Sequence, residues 1–276
     1  MRAENHTQVR APLDQAALRR ALARRGGGLW RDFEVVESTG STNADLLARA
    51  LAGEPEGAVL VAEEQRAGRG RMGRTWTAPP RAALTVSVLL KPAVPPARRG
   101  WLPLLAGVAV ATAVTRVTGV ETKLKWPNDL LAADAKLAGI LAEAAGDAIV
   151  VGIGLNVSTE PAELPAPRPG GLSATSLAAA GATTLDREEL LLAILAGLEH
   201  WYRAWQQAGG DPDRSGLRAG YTTLSATAGR TVRAELPGGQ ALSGSAVGVD
   251  SDGRLLVRVS SGAEVAVAAG DVVHLR

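Results

Sequence analysis

The spacing of apolar positions divides the chain into two regions. Through Gln207, helical and strand-like stretches alternate; from Ser225 onward only short strands and glycine turns remain. Leu13–Arg25 reads as a short amphipathic helix, with Leu13, Ala16, Ala17 and Leu22 set among arginines and Gly26-Gly27-Gly28 stopping it. Phe33–Val36 reads as a strand and Ala44–Leu51 as a helix whose N-cap lies among Ser41, Thr42 and Asn43. Ala58–Glu63 is a continuous apolar strand, and Ala83–Leu90 alternates Leu84, Val86, Val88 and Leu90 with Thr85, Ser87 and Leu89. Leu104–Val117 reads as a buried helix ended by Gly119, followed by strands at Glu121–Lys125, Lys136–Glu143 and Ala148–Leu155. Pro127 holds Trp126 in a turn, and Asp134-Ala135 is the expected hairpin tip. After the proline-rich loop Thr159–Gly171 comes a long helix, Leu185–Gln207, capped by Thr184 or Asp186 and closed by Gly209-Gly210.

The last region carries strands at Thr231–Leu236, Ala241–Val249, Arg254–Val259, Glu264–Ala268 and Val272–Leu275. Turns at Pro237-Gly238-Gly239, Asp252-Gly253 and Ser261-Gly262 separate them. Such spacing predicts a small all-β barrel. The whole is read as an α+β protein: a mixed or largely antiparallel sheet with helices on one face, plus the C-terminal β domain. The expected bounds are a helical segment over 1–30, a main domain over 31–222 and the β domain over 223–276.

Composition narrows the chemistry. The 276 residues include no cysteine, which removes disulfides, thiolate metal sites and thiol nucleophiles. The three histidines, His6, His200 and His274, are scattered and read as surface or structural. The polar start gives no signal peptide, and the apolar run Trp101–Val114 falls short of the roughly 20 residues a bilayer span needs. A soluble, cytoplasmic protein is therefore expected. A net charge of +2 gives no broad basic footprint for nucleic acid.

The charge that exists is concentrated. Gly68-Arg69-Gly70-Arg71-Met72-Gly73-Arg74, preceded by Arg66 and closed by Trp76, alternates glycine with arginine. Arginine resists burial and glycine disfavours helix, so the run reads as a mobile cationic loop for an anion such as a polyphosphate. Gly68, Gly70 and Gly73 also fit a dinucleotide fingerprint, but Thr75–Pro80 supplies no helix and no acid follows at the required distance. Elsewhere Ser41, Thr42, Asn43, Gln65 and Asn156 are neutral hydrogen-bonders, Arg69, Arg71, Arg74, Lys125 and Lys136 are cations, and Asn128 and Asp129 sit on a turn. With no Ser-His-Asp set, no Walker lysine and no metal cluster, activated-nucleophile hydrolysis is disfavoured. The set suits a reaction that neutralises phosphates and a carboxylate.

Four blocks, Ser41-Thr42-Asn43, Gln65–Arg74 with Trp76, Lys125–Asp129 with Lys136–Leu141, and Gly152–Asn156, together resemble the biotin–protein ligases. The resemblance covers Phe33–Gln207. It implies a core like that of class II aminoacyl-tRNA synthetases and an SH3-like C-terminal domain. It implies biotin and ATP as substrates with Mg²⁺, a biotinyl-5'-AMP intermediate, and transfer to a lysine of a biotin carboxyl carrier protein domain of acyl-CoA carboxylases. Carried over by position, Ser41, Thr42, Asn43 and Gln65 would line the biotin ureido site, and Arg69, Gly70 and Arg71 would close over it. Lys136 would hold the carboxylate and α-phosphate. Trp76, Arg71, Arg74, Asn128 and Asn156 would serve the nucleotide, and Asp129 would orient or deprotonate the acceptor lysine. The short N-terminal segment implies a ligase-only type without DNA binding; no membrane association and a monomer or weak dimer are also expected. A lipoate-type ligase and a nucleic-acid-binding module using the Arg-Gly loop are the competing readings.

Overall fold

The computed structural model describes residues 10–24, 28–167, 171–236 and 240–275. Seven strands form the main sheet: β1 (Asp32–Val36), β2 (Ala58–Ala62), β3 (Ala83–Leu90), β4 (Thr122–Lys125), β5 (Asp129–Ala132), β6 (Ala135–Ala145) and β7 (Ala148–Asn156). Their order across the sheet is β1-β2-β3-β7-β6-β5-β4. Only β1–β2 is a parallel pair; the helix between them, α2 (Thr42–Leu51), makes the crossover that such a pair requires. All other neighbours are antiparallel.

Side-chain parity on these strands assigns the two faces. Val59, Val61, Leu84, Val86, Val88, Val151, Ile153 and Leu155 point into the main core, under α3 (Leu102–Thr118) and α4 (Arg187–Gln207). α3 is apolar nearly all round, as a helix buried between sheet and helix must be, and Gly119 ends it in the left-handed conformation at φ 74°. Its extended run Pro96–Thr118 is long and apolar enough to cross a membrane by length and composition, but most of it is buried inside the protein. The alternate positions Ala58, Leu60, Leu89, Ala148 and Val150 form a smaller cluster with Leu46 of α2 on the other face. Helices therefore lie on both faces, not one. Because α2 is amphipathic and only ten residues long, it covers part of its face and leaves the rest open.

The N-terminal helix α1 (Gln15–Ala23) is capped by Asp14 and held to edge strand β1 by Gln15 Oε1, which accepts from Val35 N, and Arg19 Nε, which donates to Phe33 O. The glycines expected to stop it lie partly outside the described residues. Ahead of α1, the buried ion pair Arg187–Glu63 (2.6 Å) receives the chain: Arg187 donates to Ala11 O and Glu63 accepts from Leu13 N. Asp186 caps α4 by accepting from Glu188 N and Glu189 N. The β5–β6 hairpin turns on Ala133-Asp134, one residue earlier than expected, with Ala133 at φ 49°. A further short helix, α5 (Leu217–Leu224), has no counterpart in the sequence reading.

The C-terminal strands β8 (Thr231–Glu235), β9 (Ala241–Val249), β10 (Leu255–Arg258), β11 (Glu264–Val267) and β12 (Asp271–His274) fall where the periodicity puts them. They form one antiparallel sheet ordered β11-β10-β9-β8-β12. This is the SH3-like domain without a closed barrel, since no pairing among the described residues joins β11 to β12. It docks on the main domain through Trp101, whose Nε1 donates to Asp250 O and Ser251 O, and Trp126, whose Nε1 donates to Gly253 O. Trp126 is thus a core residue, 2% exposed, and its peptide bond to Pro127 is cis.

Candidate active site

The open part of the α2 face is floored by glycines. On β7, a Cβ at Gly152 would stand 2.1 Å from Asn43 Oδ1, and one at Gly154 would stand 2.4 Å from the Trp76 ring. Gly139, paired with Gly154 across β6–β7, lies under Trp76 and the Lys136 ammonium. Two residues of strand separate the two glycines of β7, about 7 Å. Asn43 and the tryptophan therefore mark two neighbouring stations along one strand.

Around the Asn43 station, α2 begins. Ser41 caps it, accepting from Ala44 N at 3.5 Å. Thr42 donates from both its backbone N (2.8 Å) and its hydroxyl (3.0 Å) to Gln65 Oε1. Asn43 donates to Glu143 Oε2 at 2.8 Å and to Leu141 O at 3.2 Å. Ser41, Thr42 and Asn43 are all nearly buried, so this end of the site presents uncharged hydrogen-bonding side chains, with the Glu143 carboxylate behind Asn43.

Around the Trp76 station the charge is positive. Lys136 Nζ lies 6.0 Å from the indole centroid and pairs with Asp129 Oδ1 at 2.6 Å. Lys125 is held below the ordinary lysine range by burial and the nearby cations Lys136, Arg74 and Arg71, with Asp129 opposing. The Arg71 guanidinium is likewise lowered by burial, with Asp129 opposing and Arg74 adding to the effect. Lys125, read from the sequence only as one cation among several, is thus part of the site. The indole Nε1 of Trp76 is buried with no hydrogen-bond partner, a donor directed into a polar site.

The Arg-Gly loop folds as a tight excursion. Trp76 N donates to Gly68 O at 2.8 Å and Gly70 N to Arg74 O at 2.7 Å, and a single 3₁₀ turn spans Arg71–Gly73. Met72 (φ 55°) and Gly73 (φ 70°) take left-handed conformations at its tip, where Met72 is 64% exposed. Each arginine has a partner: Arg69 lies 3.8 Å from Glu143, Arg71 donates to Asn128 Oδ1 and Gly270 O at 3.4 Å, and Arg74 pairs with Asp271. Two of those partners, Gly270 and Asp271, belong to the C-terminal domain.

Together these elements enclose a cavity of about 600 Å³. Ser41, Thr42, Asn43, Gln65, Arg69, Gly70, Arg71, Arg74, Trp76, Asn128, Asp129, Lys136 and Asn156 all line it. Asp129 opens β5 instead of lying on the turn, and its carboxylate is taken by Lys136. Asn156 donates to Thr175 O and so also fastens the neighbouring loop. His274, read as surface or structural, borders the cavity beside Thr227 Oγ1 at 3.1 Å. Burial lowers its pKa, with Lys125 and Arg230 adding to the effect and Asp134 opposing it. Ser87, on β3, is a residue the sequence reading named only as a strand position. It is fully buried and bonded to both Thr42 and Asn43. Its signal was present, since a polar residue on the site-facing parity of an apolar strand must have a partner.

Comparison with known proteins identifies the fold's relatives. Residues 33–159 match the biotin/lipoate A/B protein ligase family and residues 227–275 the biotin protein ligase C-terminal domain. The chain is 47% identical to the biotin–[acetyl-CoA-carboxylase] ligase of Mycobacterium tuberculosis over 98% of both proteins. It is 33% identical to the bifunctional ligase/repressor BirA of Bacillus subtilis over 83% of this chain and 69% of that one. Among solved structures, the biotin protein ligase of Aquifex aeolicus in complex with biotin and ATP superimposes with a TM-score of 0.73 at 26% identity, covering 89% of this chain and all of that one. A glycine-floored cavity with a neutral station and a cationic one, shared fold and near-complete alignment lead to one conclusion: the chain belongs to the biotin–protein ligase family.

Proposed function

We propose that this chain activates biotin with ATP to biotinyl-5'-AMP and then transfers the biotinyl group to a lysine of a biotin carboxyl carrier protein domain. The observation that carries the proposal is the cavity's division into a station of uncharged hydrogen-bonding side chains and a cationic one about 7 Å away along one strand. A bicyclic urea needs paired neutral donors and acceptors, which Thr42, Asn43 and Gln65 supply, with Ser41 capping the helix that presents them. A carboxylate approaching a polyphosphate needs its repulsion screened, which Lys136, Lys125, Arg69, Arg71 and Arg74 supply.

In the first step a biotin carboxylate oxygen bonds to the α-phosphorus and the bond to pyrophosphate breaks. Lys136 is assigned to both reacting anions, held in position by Asp129. Trp76 walls the adenylate, and Asn128 and Asn156 serve the nucleotide. Gly70 lets the loop backbone approach closely. In the second step the neutral amine of the acceptor lysine attacks the acyl carbon, the C–O bond to phosphate breaks, AMP leaves and the nitrogen loses a proton. Proximity is the main requirement of that step. Among the described residues no group of three or more His, Asp or Glu side chains could hold a metal. Mg²⁺, when bound with the nucleotide, would supply further neutralisation of its phosphate charge.

No DNA binding, a cytoplasmic location and a monomeric or weakly dimeric state complete the reading. Biotin-dependent ATP–pyrophosphate exchange, followed by labelling of a purified carrier domain, tests it. Purified protein that gives neither would end it.

A further inference from the structure

The cavity's cations are not equally provided for. Lys136 Nζ pairs with Asp129 Oδ1 at 2.6 Å, Arg69 lies 3.8 Å from Glu143, Arg74 pairs with Asp271, and Arg71 donates to Asn128 Oδ1 and Gly270 O at 3.4 Å. Lys125 is the exception. It ends β4, half-buried, and lines the same cavity. Among the described residues no hydrogen bond or contact ion pair reaches its ammonium. The strand register explains why. Lys125 stands opposite Asp129 in the β4–β5 pair, so both side chains rise from the same face. Asp129 would be its counter-charge, but Lys136 reaches in diagonally from β6 and takes that carboxylate.

The groups around Lys125 leave its charge unmatched. Lys136 on β6 and Arg71 and Arg74 on the Arg-Gly loop repel it, and only the shared Asp129 on β5 attracts it. Asp271, at the start of β12, is held by Arg74. His274, at the end of β12, is itself disfavoured as a cation by burial and by Lys125, and offers no counter-charge. Burial first, and then the three cations, lower the proton affinity of Lys125, with Asp129 opposing. We propose that nucleotide binding takes up a proton at Lys125: the empty cavity favours the free amine, and an entering polyphosphate supplies the missing counter-charge and makes it an ammonium. This rests on the reading of the cavity as an ATP site. The proton comes from solvent and returns there when pyrophosphate leaves, so it accompanies binding and takes no part in acyl transfer. Lys136 brings its own counter-charge to the reaction; Lys125 receives one from the substrate.

A polyphosphate raises the proton affinity of Lys125 above its empty-site value. Between those two values binding draws a proton from solution, so ATP affinity falls as pH rises. Isothermal titration with ATP and Mg²⁺ from about pH 7.5 to about pH 10, in paired buffers of different ionisation enthalpy, counts the protons. The range starts above the phosphate titration near about pH 6 and ends close to the ordinary lysine value. Wild-type protein should take up a fraction of a proton per ATP that grows with pH, while affinity weakens by about 3-fold or more. Inorganic tripolyphosphate should give the same uptake; uptake with ATP but none with bound tripolyphosphate would overturn the proposal. In Lys125→Arg the guanidinium keeps its proton throughout. Uptake should vanish there, and affinity should stay within about twofold across the range. A purely structural role would change affinity at every pH and leave the uptake in place. Uptake that survives Lys125→Arg would therefore overturn the proposal. Should that variant not fold, Lys125→Met removes the titrating amine, and weaker binding without uptake is expected; uptake retained there refutes the assignment equally. Wild-type protein that binds ATP without proton uptake would sink only the role given to Lys125. Wild-type protein that binds no ATP at any pH would sink the functional reading and this proposal with it.

Discussion

Lys136 Nζ reaches Asp129 Oδ1 diagonally across the β5–β6 pair at 2.6 Å, inside the cavity and beside the Trp76 indole. The pairing separates two roles that a sequence leaves merged. Lys136→Ala is expected to cut biotin-dependent pyrophosphate exchange by about 100-fold or more, the scale of losing one preorganised charge-stabilising group. Asp129→Ala should reduce exchange about 10-fold by freeing the lysine. If Asp129 also handles the acceptor amine, transfer from preformed adenylate will fall further than exchange. Equal losses in the two half-reactions confine Asp129 to holding Lys136.

The two β7 glycines should fail differently. Gly152→Ala forces a methyl group to 2.1 Å from Asn43 Oδ1, and Gly154→Ala forces one to 2.4 Å from the Trp76 ring. Overpacking of this kind costs about 1–3 kcal/mol, or roughly 5- to 150-fold in affinity where it falls on the bound state. The first variant should lose biotin affinity and the second adenylate formation, with biotin binding less affected. Titration calorimetry with each ligand separates the cases.

Arg74 and Asp271 tie the Arg-Gly loop to the C-terminal sheet. Asp271→Asn should loosen that tie and speed release of the adenylate several-fold, while the half-exposed surroundings keep the effect on stability within about 1 kcal/mol. Adenylate retention in the absence of acceptor is the measurement.

His274 sets an acid-side dependence. Its folded pKa lies below the ordinary 6.5 because burial, with Lys125 and Arg230 nearby, disfavours the imidazolium; Asp134 opposes. The unfolded chain therefore binds the proton first. Stability should be intact above 6.5 and should fall as pH drops from 6.5 toward the folded value. Urea midpoints measured across that window should decline in the wild type and flatten in His274→Gln.

Glu63 and Arg187 are a buried pair, with side chains 2% and 8% exposed. Removing one partner strands a buried charge. Glu63→Ala should cost about 3–5 kcal/mol, a melting temperature lower by about 10 °C for a chain of this size. Glu63→Met with Arg187→Met should recover most of that loss, which thermal unfolding will report.

Much of this was readable before any coordinates. Strands such as Ala83–Leu90 and Ala148–Asn156 announce themselves because alternation or continuous apolarity is a local property. The glycines at 139, 152 and 154 are visible in the sequence only as parts of the family blocks; that side chains approach the sheet there is seen in the structure. What stayed hidden depends on partners distant in sequence. Nothing in Thr42–Leu51 says that Leu46 packs on the face opposite α3. The five C-terminal strands are each visible, but closure into a barrel is decided by whether the end strands meet. Asp129 looks free in a turn until β6 brings Lys136 to it, and Ser87 looks like strand filler until α2 brings Thr42 and Asn43 over it.

The attachment of residues 10–14 reaches further than its position suggests. Leu13 N bonds to Glu63, and Glu63 directly follows β2 and precedes Gln65 by two residues. A cloning junction cut at Gln15 would take away the amide and the Ala11 carbonyl that complete this cluster. The shortened protein would also lose the Asp14 cap of α1 and would then misreport its vitamin affinity, through a strand end distant in sequence from the deletion.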